Sequence, residues 1–411
     1  MEVKMELRKL LKKESSSKIL FIVLDGVGDL PFKDGKTPLE YARTPNLDDL
    51  AKISATGAHI PVDYGITPGS GPGHLGIFGY EPTKFEIGRG ILEALGLGLE
   101  VRDTDVAIRG NFATVRYEGD KPIIIDRRAG RISTEENRRI IANLSKNIRQ
   151  IEDVEVILCS GREHRFSLIF RFPNKVTPLA ERVNDTDPQA TNKEPLMPMG
   201  ANDEAERVAK IARSFIERAS EHLKEEVRAN YVLLRGFSVK PELEPFPQRY
   251  GLRSLCIAVY PMYRGLARLL GMDVATFEGE RIEDELSSLK AWWHNYDFFF
   301  VHIKKTDSFG EDGDFEGKVK VLEEFDKLLP EFLALKPEVL VITGDHSTPC
   351  IMKSHSWHPV PVLIHSPYCL GRLSERFTER ECFKGELGIF PSYKLLQLIL
   401  SHGGRLQKYG A

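Results

Sequence analysis

The sequence predicts an α/β protein whose doubly wound core sheet is interrupted by a smaller α+β insert. Two observations predict this fold. Toward both ends of the chain, short apolar runs alternate with helical patterns, as in parallel sheets that helices cover on both faces. In the middle of the chain the apolar residues alternate with polar ones, which is typical of strands with one face in solvent.

The core elements follow from the spacing of apolar residues. Runs rich in β-branched or aromatic residues predict strands at Ile19–Leu24, 256–259, Phe298–Ile303, Val339–Thr343 and 360–364. Helical periodicity predicts helices at about 46–54, 262–270, 315–333 and 392–400. Alternating strands and helices indicate parallel strands joined by crossover helices.

The central region has a different pattern. Loosely alternating segments predict strands at about 105–115, 154–158 and 165–172, and helical patterns occur at about 134–148 and 202–227. Residues 173–202 are rich in proline and predict a long loop, which is usually functional or mobile. We therefore predict a core domain in two parts, 1–103 and 247–411, and an inserted domain at 104–246.

Composition limits the class of ligand and the cellular setting. The chain has 411 residues with 57 Lys+Arg, 60 Asp+Glu and a net charge of -3. This balance lacks the excess positive charge of nucleic-acid binders, so we expect a small-molecule ligand. No apolar run approaches the ~20 residues that span a bilayer, and the N-terminal run is too short for a signal peptide. The five scattered cysteines, none in a C-x-x-C spacing, favour a reducing, cytoplasmic setting.

Carboxylate and imidazole groups lie at the ends of four predicted strands, with His355 and His358 just before the strand at 360–364 and the others after strands. The carboxyl ends of strands in an open α/β sheet form its ligand crevice, so these groups could converge there. They are Asp25, Asp307, Asp345, His346, His355 and His358. A mixed oxygen and nitrogen set suits Mn²⁺ or Zn²⁺ better than Ca²⁺. Alternatively, each motif alone is a turn, a helix cap or a packed loop.

Ser70 lies in the glycine-rich segment ITPGSGPGHLGIFGY, just before an apolar helical pattern. Small residues allow a phosphate to approach the backbone, and a helix N-terminus offers free N–H groups to an anion. Ser70 is therefore a candidate metal-activated nucleophile. The pattern is neither a P-loop nor a nucleophile elbow, and an N-cap serine in a flexible turn is the alternative.

Basic residues near predicted strand ends are candidates for an anion pocket. They are Arg89, Arg162, His164, Arg165 and Arg235, with Asp185 and Asp187 in the long loop. Arginine suits bidentate contact with carboxylate or phosphate. Ion pairing at the surface is the alternative for each of them.

Together these segments resemble the archaeal type of cofactor-independent (2,3-bisphosphoglycerate-independent) phosphoglycerate mutase, of the alkaline phosphatase superfamily. The matching segments include LDGVGD, TPGSGPGHLGIFGYEP, GREHRF, NDTDP, HIKKTD, TGDHSTPC and HSWHPVPVLI, in the order of the family. The resemblance implies an alkaline-phosphatase-like core sheet and a substrate-binding insert. It also implies a reversible conversion of 3-phosphoglycerate to 2-phosphoglycerate, in glycolysis and gluconeogenesis, through a phosphoserine.

The resemblance also implies roles for individual residues. Asp25, Ser70, Asp345 and His346 resemble the ligands of one divalent metal ion, and Asp307 and His355 those of a second. Arg89, His164, Arg165, Asp187, Arg235, Arg264 and Lys304 resemble substrate contacts. Ser70 is then the nucleophile, and His164 or Asp187 assists proton transfer.

Two positions depart from the family pattern. Where the family has a histidine four residues after the metal-binding aspartate, this chain has Glu311, which can share a helical face with Asp307 and still bind a metal. A glutamate there favours Mn²⁺ or Mg²⁺ over Zn²⁺, or else it weakens the second site. Gly71 stands where many relatives carry an aspartate after the serine.

We expect two divalent ions as cofactors, with manganese preferred and magnesium, cobalt and zinc as alternatives, and no 2,3-bisphosphoglycerate. The expected partner is phosphoglycerate, with no nucleic acid and no membrane, and a homo-oligomer is compatible with the sequence. The alternative functions are a metal-dependent phosphomonoesterase, a related phosphotransferase such as a homoserine-kinase-like relative, and a metal-impaired binding protein.

Overall fold

The computed structural model describes residues 7–12, 15–85 and 87–410. The chain divides into two compact units, the first made of Met1–Glu86, Leu243–Tyr260 and Ala267–Ala411, and the second of Ile87–Glu242 and Pro261–Leu266. Residues 87–103, which the sequence assigned to the core, lie in the second unit. The domains expected at 1–103, 104–246 and 247–411 stay a prediction.

The secondary structure alternates as expected. The strands are β1 (Ile19–Leu24), β2 (Ala55–Ile60), β3 (Asp105–Glu118), β4 (Lys121–Asp126), β5 (Gln150–Ile151), β6 (Val154–Ser160), β7 (Arg165–Arg171), β8 (Tyr231–Val239), β9 (Ser254–Ala258), β10 (Asp273–Val274), β11 (Phe298–Ile303), β12 (Val339–Thr343), β13 (Val360–His365) and β14 (Gly388–Pro391). The helices are α1 (Pro38–Tyr41), α2 (Pro45–Lys52), α3 (Ser70–Ile77), α4 (Arg89–Gly96), α5 (Thr134–Asn147), α6 (Asp203–Leu223), α7 (Phe246–Tyr250), α8 (Pro261–Leu269), α9 (Ile282–Trp292), α10 (Lys305–Asp312), α11 (Phe315–Leu333), α12 (Glu379–Cys382) and α13 (Leu395–His402).

The first unit contains a sheet with the strand order β10-β9-β11-β1-β12-β13-β2-β14. The strands from β10 to β12 are parallel, and every residue of β1 is buried, as its unbroken apolar run predicts. The core of this unit packs residues of β1, β11 and β12 against α2, α9 and α11. The predicted α/β class with a central sheet is confirmed.

One strand runs in the opposite direction from the expected parallel arrangement. β13 is antiparallel to both β12 and β2, whereas β14 is parallel to β2. Residues 344–359, which connect β12 to β13, contain no helix, and parallel neighbours need a crossover that is usually helical. Because this connection has no crossover helix, β13 runs antiparallel to β12. The sheet is therefore mixed rather than wholly parallel.

The second unit contains an antiparallel sheet with the order β4-β3-β7-β6-β5, and β8 also pairs with β3. Its own hydrophobic core joins this sheet to α5 and α6 and lies wholly between residues 106 and 239. Within the described residues, no helix is long and apolar enough to cross a bilayer.

Candidate active site

Three neighbouring parallel strands of the first unit end at the same edge of the sheet. β1 pairs with β11 and β12, so that Leu24 aligns with Ile303, and Val23 aligns with Thr343. Asp25 follows β1 directly, and Asp345 follows β12 after one glycine. The shared register brings the residues after these strands together at the carboxyl edge, where α/β sheets bind ligands.

Asp25, Asp345 and His346 form the first cluster, and all three are fully buried. The Nε2 atom of His346 lies 3.3 Å from Oδ1 of Asp25 and 3.2 Å from Oδ2 of Asp345. Burial favours the neutral form of Asp345, but the adjacent His346 and His74 hold the pKa of its carboxyl well below the usual range. The structure thus brings together three of the four residues predicted for one metal ion.

Asp307, His346 and His355 form the second cluster, so His346 belongs to both. The Nε2 atom of His355 lies 3.6 Å from Oδ1 of Asp307, and the two imidazole rings stack with their centres 3.7 Å apart. Glu311, one helical turn after Asp307 in α10, is exposed, and its Oε1 lies 3.7 Å from Nε2 of His355. Glu311 is therefore beside this cluster rather than enclosed in it.

The hydrogen bonds of Thr348 determine which nitrogen of His346 carries a proton. The Thr348 hydroxyl donates to Oδ1 of Asp307 at 2.6 Å, so it must accept at its 3.0 Å contact with Nδ1 of His346. Nε2 then bears a lone pair, and it makes no hydrogen bond within the described residues. Burial lowers the pKa of His346 to about 4, which also favours the neutral ring.

This arrangement fits a bound cation. The lone pair of His346 Nε2 faces two carboxylates, and a cation among them would remove the repulsion. His355 is oriented in the same way, because its Nδ1 donates to the Pro68 carbonyl at 2.9 Å and leaves Nε2 toward Asp307. Two imidazoles with three carboxylates form a donor set that divalent transition metals prefer.

Lys304 lies between the two clusters. Its Nζ is 3.0 Å from Oδ2 of Asp25 and 2.5 Å from Oδ2 of Asp307. Burial alone would lower the pKa of Lys304, but the two carboxylates raise it above the usual value. The sequence predicted Lys304 as a substrate contact, and the structure places its ammonium group against two predicted metal ligands.

Ser70 is the first residue of α3, where a hydrogen bond from His355 holds the preceding loop and His74 of the same helix lies against Asp345. The Pro68 carbonyl accepts from His355, and the Ser70 carbonyl accepts from Nδ1 of His74 at 2.8 Å. The same Nδ1 lies 3.1 Å from Oδ2 of Asp345. Ser70 is half-buried at a helix N-terminus, where free N–H groups favour a phosphate.

Several residues that position this site were not predicted from the sequence. His302, within β11, is fully buried with Nε2 3.5 Å from Oδ2 of Asp25, and burial together with His74 holds its pKa well below normal. Gly26 has φ +60°, and a Cβ there would come within 2.8 Å of Oδ1 of Asp307. A histidine in the apolar run FFFVHI looks like core, and only the register shows what it faces.

The fully buried Lys318 of α11 supports the loop that carries Asp25. Its Nζ donates to the carbonyls of Gly26 and Thr348, each at 2.9 Å, and to Oδ2 of Asp29 at 2.8 Å. A buried ammonium group must be paired and hydrogen-bonded, and here its partners lie on two loops of the site. The helical pattern predicted α11 but not this contact.

A separate group of charged residues, unrelated to the two carboxylate and histidine clusters, lies in the second unit. Arg127 donates two hydrogen bonds to Asp187, at 2.7 and 2.8 Å, and Nη1 of Arg235 lies 3.4 Å from the same carboxylate. A cavity of about 70 Å³ is lined by Arg109, Asn111, Arg127, Arg128, His164, Arg165, Asp187 and Arg235. The structure therefore places His164, Arg165, Asp187 and Arg235 around one cavity, together with arginines that the sequence analysis did not single out.

His164 and Asp187, which both line this cavity, have different charge states. Burial, reinforced by Arg165 and Arg128, lowers the pKa of His164 to about 4, so the imidazole is neutral at pH 7. Burial would raise the pKa of Asp187, but the hydrogen bonds from Arg127 and Gln189 hold it below its usual value. A neutral base and an ionised carboxylate thus face a set of arginines.

The remaining predicted contacts lie outside the lining of this cavity. Arg89 begins α4 beside Gly236, where a Cβ would lie 2.9 Å from that of Arg89. Burial lowers the pKa of Arg109, and Arg165, Arg235 and Arg89 lower it further, so Arg89 contributes to the positive potential. Arg264 is on α8 in the second unit, and its buried Nε makes no hydrogen bond within the described residues.

Comparisons with known proteins agree along nearly the whole chain. A family model described as 2,3-bisphosphoglycerate-independent phosphoglycerate mutase matches residues 51–228. A protein of Aquifex aeolicus, named probable 2,3-bisphosphoglycerate-independent phosphoglycerate mutase, is 64% identical over 98% of both chains. A protein of the same name from Thermus thermophilus is 52% identical over 98% of both.

Solved structures show the same fold. The PH0037 protein from Pyrococcus horikoshii is 30% identical and superposes with a TM-score of 0.80, covering 97% of this chain and 100% of that one. The cofactor-independent phosphoglycerate mutase from Thermoplasma acidophilum DSM 1728 is 28% identical with a TM-score of 0.77, covering 94% of this chain and 100% of that one.

Proposed function

Because the chain belongs to the family of 2,3-bisphosphoglycerate-independent phosphoglycerate mutases, we propose that it interconverts 3-phosphoglycerate and 2-phosphoglycerate through a phosphoserine at Ser70. Members of this family are isomerases that act on phosphoglycerate without 2,3-bisphosphoglycerate and with divalent metal ions, and this chain is one of them. The residue roles below are part of the proposal.

One observation carries the assignment of the site. The unprotonated Nε2 of His346 faces Asp25 and Asp345, and α3, whose first residue is Ser70, lies against Asp345 through His74. Such a site holds divalent cations next to a hydroxyl group at a helix N-terminus. The carboxylates, imidazoles and hydroxyl are the groups that a metal-assisted phosphoryl transfer requires.

We assign the ligands to two ions. Asp25, Ser70, Asp345 and His346 hold one ion, and Asp307, Glu311 and His355 hold the other. Divalent ions bound there supply Lewis acidity, which lowers the pKa of a nearby hydroxyl and balances charge on phosphoryl oxygens. The carboxylate of Glu311 in place of an imidazole favours Mn²⁺ or Mg²⁺ over Co²⁺ or Zn²⁺. Manganese is our preferred ion.

In the transfer step, the Ser70 oxygen forms a bond to phosphorus while the bond from phosphorus to the glycerate oxygen breaks. The hydroxyl proton leaves Ser70, and the released glycerate oxygen takes up a proton. Lys304 is held beside Asp25 and Asp307, so its ammonium group can bind an equatorial phosphoryl oxygen. The reverse step at the other glycerate hydroxyl completes the isomerisation.

The second unit is proposed to hold the glycerate. Arg165 and Arg235 bind its carboxylate, since guanidinium groups match that geometry, and Arg89 and Arg264 are additional contacts. The neutral His164 accepts a proton, and the ionised Asp187 can do the same or orient a hydroxyl group. A simple phosphomonoesterase has no need of such a cavity, so this feature favours the mutase.

The proposal predicts that Ser70→Ala reduces mutase turnover by more than about a thousandfold, because the nucleophile is lost. Turnover is measured in an enolase-coupled assay with Mn²⁺, and phosphate on Ser70 is identified by mass spectrometry after acid quenching. Ser401→Ala is the matched control and keeps full activity, because the Ser401 hydroxyl donates to the Gln397 carbonyl within α13. Full activity of Ser70→Ala, or no activity at any Mn²⁺ concentration, contradicts the proposal.

We further propose a place in glycolysis and gluconeogenesis, and a cytoplasmic setting. The five cysteines are free thiols, which supports a reducing environment. Release of inorganic phosphate without isomerisation in the same assay would instead indicate the phosphomonoesterase.

A further inference from the structure

A cavity of about 440 Å³ in the first unit shares only Lys304, among its lining residues, with the proposed reaction. It lies beyond the ends of β9 and β11, where α9, α10 and α11 complete its wall. Val259, Ile303, Val321 and Leu328 supply apolar surface. The volume falls within the ~300–1,000 Å³ that is typical of small-molecule sites, and apolar walls with a few polar groups are typical of them too.

One of these polar groups is a buried carboxyl group. Glu285 of α9 lines the cavity and is only 3% exposed, yet its side chain makes no hydrogen bond to any residue that the structure describes. Burial, reinforced by Asp284 and opposed by Lys305, raises the pKa of Glu285 well above its usual value. A buried polar group without a partner is costly, so a group that binds it would stabilise the protein.

The charged groups around the opening are mainly acidic. Glu280, Glu283 and Glu324 line the cavity with Glu285. Two basic groups of the lining are already paired. Arg281 lies 3.5 Å from Asp284, and Lys304 is paired with the two aspartates of the active site. Glu324 is likewise near a basic group outside the lining, with its Oε1 4.0 Å from Nζ of Lys320. Glu280, Glu283 and Glu285 then remain with Lys305, so the lining still has more carboxyl groups than basic groups.

We propose that this cavity binds a small primary ammonium compound with an apolar body, and that the ammonium group pairs with the Glu285 carboxylate. The apolar body lies against Val321 and Leu328. An ammonium group supplies the donors that this carboxyl group lacks and balances the acidic rim. The alternative is an anionic ligand whose carboxylate pairs with Lys305. The test distinguishes a cationic ligand from an anionic one.

The test compares three molecules of one shape on the full chain by isothermal titration calorimetry. We expect 3-phenylpropylamine to bind more tightly than 3-phenylpropan-1-ol and 3-phenylpropanoate by at least about tenfold. Glu285→Gln removes that preference, whereas Glu331→Gln, on the surface of α11 and paired with Lys290, leaves it unchanged. Equal or tighter binding of 3-phenylpropanoate, or an unchanged preference in Glu285→Gln, overturns the proposal.

A second variant tests the location independently of Glu285. Leu328→Phe fills part of the cavity from its apolar wall and is expected to weaken 3-phenylpropylamine binding by about tenfold or more. Saturating 3-phosphoglycerate should not compete with the amine, since Glu285, Val321 and Leu328, which hold the amine, are not proposed substrate contacts, and Lys304 is the one lining residue that the proposed reaction uses. Unchanged amine binding in Leu328→Phe would place the amine outside this cavity and contradict the proposal. Competition by 3-phosphoglycerate would contradict the placement of the amine against Glu285, away from Lys304.

Discussion

Single hydroxyl and amide groups decide which atoms of the active site can bind a cation. Thr348 donates to Asp307 and therefore accepts from His346, which leaves the lone pair of Nε2 toward Asp25. The carbonyl of Pro68 accepts from Nδ1 of His355 and so leaves the lone pair of its Nε2 toward Asp307. Partners behind metal ligands fix the tautomer in this way, and their loss typically costs ~10–100-fold in metal affinity.

Glu311 is the residue whose role in metal binding is most open to test. We expect Glu311→Gln to weaken binding of the second Mn²⁺ ion by about tenfold or more, because an anionic ligand is replaced by a neutral one. The measurement is a calorimetric Mn²⁺ titration. Asp312→Asn, an exposed neighbour on α10, is the control. If Glu311→Gln and Asp312→Asn titrate like the unaltered protein, Glu311 is not a ligand.

The pair of Arg127 and Asp187 predicts a pH-dependent contribution to stability. The pKa of Asp187 is lowered in the folded state, so the pair stabilises the protein above the unfolded pKa, about 4, and loses its effect as pH falls through the folded value. Arg127→Ala should lower the free energy of unfolding by about 1–3 kcal/mol at pH 7, and the difference should shrink below pH ~4.

Urea unfolding followed by circular dichroism from pH 7 to pH 3 measures this difference. Arg116→Ala is the control, since Arg116 pairs with Glu118 on the surface and such pairs contribute about 0–1 kcal/mol. A difference for Arg127→Ala that stays constant down to pH 3 would show that its cause is lost packing rather than the ionised Asp187.

At the scale of elements, the position of α3 depends on close contact between its first turn and the loop after β12. A Cβ on Gly73 would lie 2.7 Å from the carbonyl oxygen of Asp345, closer than real contacts allow. Gly73→Ala must therefore shift α3 or that loop. We expect kcat to fall about tenfold or more, because a displacement of ~1 Å at a reacting group has a large effect.

The same enolase-coupled assay tests this prediction. Gly96→Ala, at the last residue of α4, is the matched control, because a Cβ there meets nothing closer than 3.8 Å, so that variant should keep a kcat close to the unaltered value. The melting temperature separates a local shift from general unfolding. Normal kcat in Gly73→Ala would mean that the helix tolerates the displacement.

The elements that the sequence predicted are those whose signal is local. β1 is an unbroken apolar run, and β11 and β12 are apolar except for His302 and Thr343. α11 repeats apolar residues over five turns, so each of these elements is visible without a partner. β2 reads ATGAHI and was missed, because its small and polar residues become strand only through pairing with β13 and β14. The direction of β13 likewise depends on the connection before it.

The site residues that the sequence predicted are likewise those with a local signal. Asp25, Asp345 and Asp307 could be selected from the sequence because each follows a visible strand. Arg109 and Arg127 could not, since nothing local separates them from the chain's many surface arginines. Thr348 and Lys318 act through contacts with residues distant in sequence, and no single-chain pattern indicates such contacts.

At the scale of the whole molecule, each unit has its own hydrophobic core, and the predicted metal ligands all lie in the first unit. An ion that binds only the native state adds stability by mass action, ~2.7 kcal/mol at 100 times the dissociation constant. That stabilisation acts on openings of the first unit. Openings confined to the second unit leave the ligands in place and should not respond.

Hydrogen exchange with and without Mn²⁺ tests this expectation. At 100 times the dissociation constant, exchange through global opening of the first unit should slow about a hundredfold at β1 and β12, and exchange at β6 and β7 should change little. Asp345→Asn, which removes a proposed ligand, should abolish the response. Equal slowing in both sheets would instead mean that the two cores open together, because the metal would then stabilise one cooperative unit rather than two.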